Sequence, residues 1–201
     1  MLTALKSRAG EQLDRSVFTI GFAGRAAIYK RPELLFSDIE RLKRIARQVG
    51  RLQIVYGGKA HPRDFGGKTI QHVFAAAAAL RGVIPVVYVE DYDMTWGRLL
   101  TSGVDLWLNT PQRPVEGVTG WAIGNDGPSS PNAEASSLYT KLESAILPAF
   151  YRREDEYAKV MRYSIALNGA FFNTQRMLSQ YISNAYGAGA RGAAAQAGQG
   201  R

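Results

Sequence analysis

The chain has 201 residues, of which 46% are hydrophobic and 21% are charged, a composition typical of a globular protein with its own core. It contains no cysteine, which excludes disulfides and thiolate metal sites and leads us to predict a reducing, cytoplasmic location. The net charge of +8 is spread along the chain without a nucleic-acid motif, and no apolar run reaches the roughly 18 residues that span a bilayer, so we expect no nucleic-acid or membrane partner.

Apolar runs alternate with amphipathic stretches over the first half of the chain. Strands are predicted at 17–22, 52–58, 84–90 and 104–110, and helices at 34–49, 68–81 and 95–102. Strands that are apolar throughout and alternate with helices indicate a parallel sheet covered on both faces. The predicted fold class is therefore α/β, a Rossmann-like doubly wound parallel sheet followed by C-terminal helices, with ligands at the carboxyl ends of the strands.

The predicted domain organisation has four parts. Residues 1–16 form a leader helix or linker, 17–132 the Rossmann-like domain, 133–186 C-terminal helices that pack on it, and 187–201 a disordered Gly/Ala tail. Ser130 or Asn132 is expected to cap the first of the C-terminal helices.

Positive side chains follow the first two predicted strands. Arg25 and Lys30 stand five positions apart, and their guanidinium and ammonium groups suit a phosphate, although solvated surface charge is an equal alternative. Lys59 and His61 follow the second strand, where a lone loop histidine is more often solvated than catalytic. Because the two histidines of the chain are separated and lack clustered carboxylates, we expect no metal site.

Carboxylates follow the third and fourth predicted strands. Glu90, Asp91 and Asp93 could accept hydrogen bonds from sugar hydroxyls, and Tyr92 offers a ring for stacking. In the alternative interpretation this is a polar loop in which Asp93 caps the next helix. Glu116 is either a further hydroxyl acceptor or an exposed turn residue.

Six blocks of sequence resemble, in order, the C-terminal half of the bacterial α-glucan phosphorylases, the glycogen and maltodextrin phosphorylase family. They are FTIGFAGRAAIYKRPELLF, IVYGGKAHPRD, VVYVEDYDM, GVDLWLNTPQRPVEG, GWAIG and FNTQRM, and they cover nearly all of residues 17–186. The resemblance implies one half of a GT-B enzyme with pyridoxal phosphate (PLP) in its cleft, which uses inorganic phosphate to release glucose 1-phosphate from an α-1,4-glucan.

The resemblance also implies roles for individual residues. Arg25 and Lys30 match the ligands of the substrate phosphate, Tyr92 matches a tyrosine beside the cofactor, and Glu116 matches the glutamate that binds glucose hydroxyls. The weaker candidates in the cleft are Lys59, His61 and Glu90.

The chain departs from the family directly after Glu116. In the family, this glutamate is followed by a Gly-rich turn, a helix with the lysine that forms the PLP Schiff base, and a further strand. Here Gly117 leads straight into VTGWAIG, and no lysine occurs between Lys68 and Lys141. We expect a chain that lacks this segment, and the family's N-terminal domain, to be inactive by itself, and the deletion to leave a cavity or an unpaired strand edge.

Two other functions stay open at this point. The chain could be half of a nucleotide-sugar GT-B glycosyltransferase, because such enzymes also place an Arg and a Lys five apart. It could instead be a noncatalytic carbohydrate-binding, phosphate-binding or assembly module that self-associates through surfaces left exposed by the absent domain.

Overall fold

The computed structural model describes residues 1–9, 12–25, 30–59, 66–109, 118–124 and 130–186. Its sheet has four parallel strands in the order β3-β2-β1-β4, which are β1 Phe18–Arg25, β2 Leu52–Lys59, β3 Val86–Val89 and β4 Leu106–Trp107. The helices that precede and connect them are α1 Leu2–Ala9, α2 Ile39–Gln48, α3 Gly66–Leu80 and α4 Met94–Gly103. The predicted parallel sheet is confirmed.

Side chains of each strand alternate between the two faces of the sheet, because successive Cβ atoms of a strand point to opposite sides. On the first face, Phe18 pairs in register with Leu52 and both are buried under α2, α3 and the C-terminal helices. On the second face, Val55 packs with Leu5 of α1 and Leu100 of α4. Helices therefore cover both faces, which confirms the doubly wound, Rossmann-like class.

The connections place β1 in the interior of the sheet. The chain winds from β1 through β2 to β3 on one side, and then returns to place β4 on the other side of β1. The strand order therefore reverses between β1 and β4. In open α/β sheets, the ligand crevice lies outside the carboxyl ends of the strands at this point.

The helix predicted at 34–49 is two elements in the structure. A 3-10 turn, Leu34–Phe36, precedes α2, which begins at Ile39. Asp38 separates them because its side chain accepts a hydrogen bond from the Arg41 amide (2.9 Å), the arrangement of a helix N-cap. The Asp38 amide in turn donates to the Tyr139 hydroxyl (2.8 Å), so tertiary contact also fixes the break.

In the part of the chain that the structure describes, five helices follow the sheet. They are α5 Pro131–Lys141, α6 Leu147–Arg152, α7 Glu154–Tyr163, α8 Gly169–Phe171 and α9 Thr174–Tyr181, with π-helical turns at Leu142–Ile146, Ser164–Asn168 and Ile182–Tyr186. Ser130 caps α5 by accepting from the Ala133 amide (3.2 Å), as predicted for this residue. In the described part of the chain, no helix combines the length and the apolar character needed to cross a membrane.

Two tyrosines attach α6 and α7 to the sheet. The Tyr151 hydroxyl accepts from the Phe18 amide (3.0 Å), and the Tyr157 hydroxyl donates to the carbonyl of Asp105 (2.5 Å). The Phe18 and Tyr157 rings also meet edge to face, with centroids 6.1 Å apart. Beyond these anchors the chain leaves the body, and residues 165–184, which we call the C-terminal arm, are exposed except at Asn173 and Arg176.

Candidate functional site

The carboxyl ends of β1 and β2 lie side by side. Gly24 pairs with Gly58, and the backbone of Arg25 pairs with that of Lys59, at the end of the ladder. A Cβ atom at Gly58 would contact the backbone carbonyl oxygen of Gly24, so only glycine permits this close approach. The fold thus brings two of the predicted cationic positions to the same edge of the sheet.

Lys30 begins the next described segment, and its position is fixed by the residues that follow it. The buried Tyr56 hydroxyl donates to the carbonyl of Pro32, and Arg31 forms an ion pair with Glu134 of α5. Arg31 itself has φ of +42°, a sparsely populated backbone conformation that these neighbouring contacts hold in place. Lys30 is half-buried and lies five positions after Arg25, the last residue of β1.

Aromatic side chains also pack against the segment that follows Lys30. Tyr56 stacks on Phe22 (5.1 Å between centroids) and packs against Phe36 (5.3 Å), and burial raises the pKa of its hydroxyl, which stays protonated as a donor. The Tyr139 hydroxyl donates to the carbonyl of Leu35 (2.9 Å). Burial is the largest cause that raises the pKa of Tyr139, to about 12.

Tyr92 lies over the end of β2. A Cβ atom at Gly57 would be 3.0 Å from the Tyr92 ring, and one at Gly97 of α4 would be 3.0 Å from its hydroxyl oxygen. The ring therefore occupies the space between β2 and α4 that these two glycines leave open. Tyr92 is half-buried.

The acidic stretch after β3 separates into two kinds of residue. Asp93 caps α4 by accepting from the Trp96 amide (2.9 Å), which matches the alternative, structural interpretation of this residue. Glu90 is exposed at the end of β3. Tyr88 lies two residues before Glu90, and its hydroxyl donates to the carbonyl of Gly58 (2.8 Å). The pKa of this hydroxyl is raised, mainly by burial and also by the charge of Glu90.

Several predicted residues lie outside what the structure describes. His61 and Glu116 fall in undescribed segments, as does the side chain of Arg25. The structure brings Lys59 and Tyr92 to the carboxyl edge with the backbone of Arg25, and Lys30 begins the next described segment. Among the described residues no group of three metal-ligating side chains occurs.

Sequence reasoning missed the tyrosines that build this edge. Tyr56 and Tyr88 face the first side of the sheet near the carboxyl ends of their strands, and Tyr139 reaches the same region from α5. Tyr56 and Tyr88 lie among apolar residues, and those runs of sequence predicted only buried strands. The available signal was a hydroxyl on a buried strand position, since a buried hydroxyl needs a partner.

The region after β4 is short. Ten residues, 108–117, separate Trp107 from Val118 in the sequence. Trp121 stacks on Tyr157 with centroids 6.1 Å apart. A cavity of about 560 Å³ lies beside Trp121. Its wall contains Val118, Ala149 of α6 and several residues of α7.

The sequence is similar to curated phosphorylases over most of its length. It is 32% identical to maltodextrin phosphorylase of Thermococcus litoralis and 34% identical to glycogen phosphorylase of Aquifex aeolicus, in each case over 87% of this chain, but over 25% and 31% of those proteins. Glycogen phosphorylase of Mycobacterium tuberculosis is 31% identical over 86% of this chain and 25% of its own length. No family model matches the sequence.

The alignments also contain gaps. The match to the Thermococcus protein spans 212 positions, whereas 87% of 201 residues is about 175, so about 37 positions of the relative have no counterpart here. Among solved structures, the C-terminal domain of a glycosyl transferase group 1 family protein from Francisella tularensis aligns at a TM-score of 0.49 and 15% identity, covering 78% of this chain and 87% of that domain.

The chain spans about a quarter to a third of the curated relatives it matches. Its match extends over nearly all of its own sequence, at 31–34% identity to several phosphorylases. Over nearly all of its own sequence this chain is therefore similar to one part of the glycogen and maltodextrin phosphorylases.

Proposed function

We propose that this chain is a phosphorylase-type half-site that binds phosphate or a sugar phosphate but does not by itself phosphorolyse α-glucan. The observation that carries the proposal is the paired end of β1 and β2, where the backbones of Arg25 and Lys59 lie opposite each other. Lys30 follows Arg25 by five positions in the sequence. A guanidinium and ammonium groups at one sheet edge suit an anion with several oxygens.

The sugar part of the proposal rests on side chains at neighbouring strand ends. Glu90 is exposed after β3, and Tyr92 offers part of its ring at the same edge. Glu116 follows β4 and, by the family motif, would accept hydrogen bonds from glucose hydroxyls. A carboxylate acceptor and an aromatic face are the groups that a bound glucosyl unit would use for orientation.

The residues present do not fit PLP held as a Schiff base. That linkage needs a lysine amine in the segment after Glu116, but the sequence has none between Lys68 and Lys141. The roughly 37 unmatched positions of the Thermococcus relative support an internal deletion in this family member. We therefore assign no catalytic step through PLP to this chain, and its proposed location is the cytoplasm.

Phosphate binding can be tested by thermal and urea unfolding in increasing inorganic phosphate. At a phosphate concentration ten times the Kd of a single site, binding would raise the free energy of unfolding by about 1.4 kcal/mol. We expect Arg25→Ala and Lys30→Ala to lose this stabilisation. The control variant Arg47→Ala, an exposed cation on α2, should keep it. Equal loss in all three variants, or none in any, would contradict a site at this edge.

The catalytic part of the proposal has its own test. The purified chain is incubated with PLP, reduced with borohydride and examined by mass spectrometry, and it is assayed for glucose 1-phosphate with maltodextrin and phosphate. We expect no specific covalent adduct and no product. Retention of PLP on one lysine, or product formation, would overturn the assignment. Tight binding of UDP or ADP without binding of phosphate would instead favour a nucleotide-sugar glycosyltransferase.

A further inference from the structure

The residues directly after Lys30 are held between the sheet and α5. From the sheet, the buried hydroxyl of Tyr56 donates to the carbonyl of Pro32. From α5, the hydroxyl of Tyr139 donates to the carbonyl of Leu35 (2.9 Å). Because both acceptors belong to buried residues, which need such partners, these bonds leave this part of the chain little freedom to move.

Arg31, the first of these residues, has a backbone conformation that needs support. Its φ of +42° lies in the left-handed region, which is rare for a residue other than glycine. In the described part of the chain, one other non-glycine residue, Asp91, has a positive φ, and it directly precedes Tyr92. Such conformations persist where surrounding contacts impose them, and they are concentrated at functional sites. Both residues adjoin positions that the sequence assigned to the candidate site.

An ion pair with α5 supplies the support for Arg31. Its guanidinium pairs with the carboxylate of Glu134, and the two side chains are 27% and 16% exposed. At that depth the attraction is screened less than it is between fully exposed charges. Glu134 is itself held in place, because it lies in the first turn of α5, where the helix dipole favours a negative charge. A fixed carboxylate therefore determines where Arg31, and with it Lys30, can lie.

We propose that Arg31 and Glu134 are positioning residues for Lys30, an inference that rests on the proposed phosphate site. Lys30 precedes Arg31 directly, so the backbone of Arg31 limits the directions in which the Lys30 side chain can extend. A lysine side chain loses much rotamer freedom when it binds a ligand, and a fixed backbone lowers that entropic cost. As an anion, Glu134 repels phosphate and cannot be its ligand. Removal of its charge would therefore strengthen phosphate binding if only electrostatics mattered, and weaken binding if Glu134 positions Lys30.

Calorimetric titration with inorganic phosphate separates these two outcomes. We expect Glu134→Gln to raise the Kd for phosphate by about twofold to tenfold, the cost of ordering one additional flexible side chain. Glu143→Gln is the matched control, since it also removes one carboxylate charge and breaks the ion pair of Glu143 with Arg41 (2.7 Å). This control should leave the Kd unchanged or lower it slightly. A Kd that falls or stays constant in Glu134→Gln, or that rises equally in both variants, would overturn the inference.

Trypsin cleavage tests the positioning without phosphate. The bond between Lys30 and Arg31 is a trypsin site, whereas the bond after Arg31 is protected by Pro32. We expect mass spectrometry to show faster cleavage after Lys30 in Glu134→Gln than in Glu143→Gln, with both variants folded by circular dichroism. Arg31→Gly, which suits the positive φ and removes the same ion pair, should also be cleaved faster.

The two measurements distinguish a failure of this inference from a failure of the proposed function. Equal cleavage rates in Glu134→Gln and Glu143→Gln would overturn the positioning role, whether or not phosphate binds. If the unmodified chain binds no phosphate while cleavage follows the expected order, the proposed function fails and the ion pair still positions Lys30.

Discussion

Helices α2 and α9 are alike locally and differ in what surrounds them. Each begins after an acidic or amide side chain that caps it, Asp38 on the Arg41 amide (2.9 Å) and Asn173 on the Arg176 amide (2.8 Å). Each also carries an apolar stripe. In α2 that stripe is buried on the sheet, with Leu42 at 0% exposure, whereas α9 has no buried residue. Local sequence therefore specifies a helix, but only an available surface decides whether its stripe is covered.

The largest test of this contrast compares one phenylalanine from each region. Phe18 is completely buried and meets the Phe150 ring at 5.0 Å, so Phe18→Ala should lower the free energy of unfolding by about 3–5 kcal/mol. Phe171 of the arm is half-exposed, and Phe171→Ala should change it by less than about 0.5 kcal/mol. Urea unfolding at low protein concentration measures both. Similar losses would mean that the arm packs on the body.

A smaller effect is expected from removing a single hydroxyl. Tyr139→Phe takes a donor from the Leu35 carbonyl and an acceptor from the Asp38 amide, and should cost about 1–3 kcal/mol because buried polar groups lose their partners. Tyr181→Phe in the arm is the matched control and should leave the unfolding midpoint unchanged. Equal midpoints for the two variants would show that Tyr139 is not the connection described between α5 and the segment before α2.

Ionisable groups give a pH test that only the body can show, since the arm contains no carboxylate. Burial raises the pKa of Asp105 above its ordinary 3.8, although its side chain accepts from the Thr19 amide (2.8 Å). The neutral form is thus favoured in the fold, and its contribution to stability is present below the unfolded pKa and lost as the pH rises through the folded pKa. Asp105→Asn should remove this decline, measured as urea midpoints from about pH 4 upward.

Glu143 changes the stability with pH in the opposite direction. Its bond with Arg41 (2.7 Å) lowers the pKa of the carboxyl group, so the stabilisation is present above the unfolded pKa and lost as the pH falls through the folded pKa. Glu143→Gln should flatten the acid limb and leave the decline due to Asp105 in place. The same slope change in both variants would contradict these assignments.

The smallest effect is local and concerns hydrogen exchange. In a monomer, amides of the arm should exchange faster than those of β1 and β2, because exposed helices without tertiary contacts open at low free energy. Amides of the arm that exchange as slowly as those of β1 and β2 would contradict this ranking.

The sequence was sufficient for the parts of the fold that depend on local pattern. Apolar runs located the four strands, and their alternation with helices predicted a parallel sheet with two covered faces. The strand at 104–110 was too long by several residues, since only Leu106 and Trp107 pair with β1. Pairing depends on the neighbouring strand, which a local pattern does not contain.

The candidate site was predicted less completely, for a related reason. Position at a strand end placed Lys59, Glu90 and Tyr92 at the carboxyl edge. The supports of that edge are long-range contacts, such as Tyr56 with the Pro32 carbonyl, and no spacing in the sequence encodes them. Similarly, the stripe of α9 predicted a packed helix, and nothing local indicated that it would be exposed.

The position of β4 determines where an inserted helix and strand could join the sheet. It is the terminal strand of the sheet in the described part of the chain, and it pairs on one side through residues 106–107 only. A helix and strand inserted between residues 116 and 118 could therefore add to the outer edge of β4 without breaking an existing ladder. A segment inserted there would extend the described sheet at this edge instead of rebuilding it.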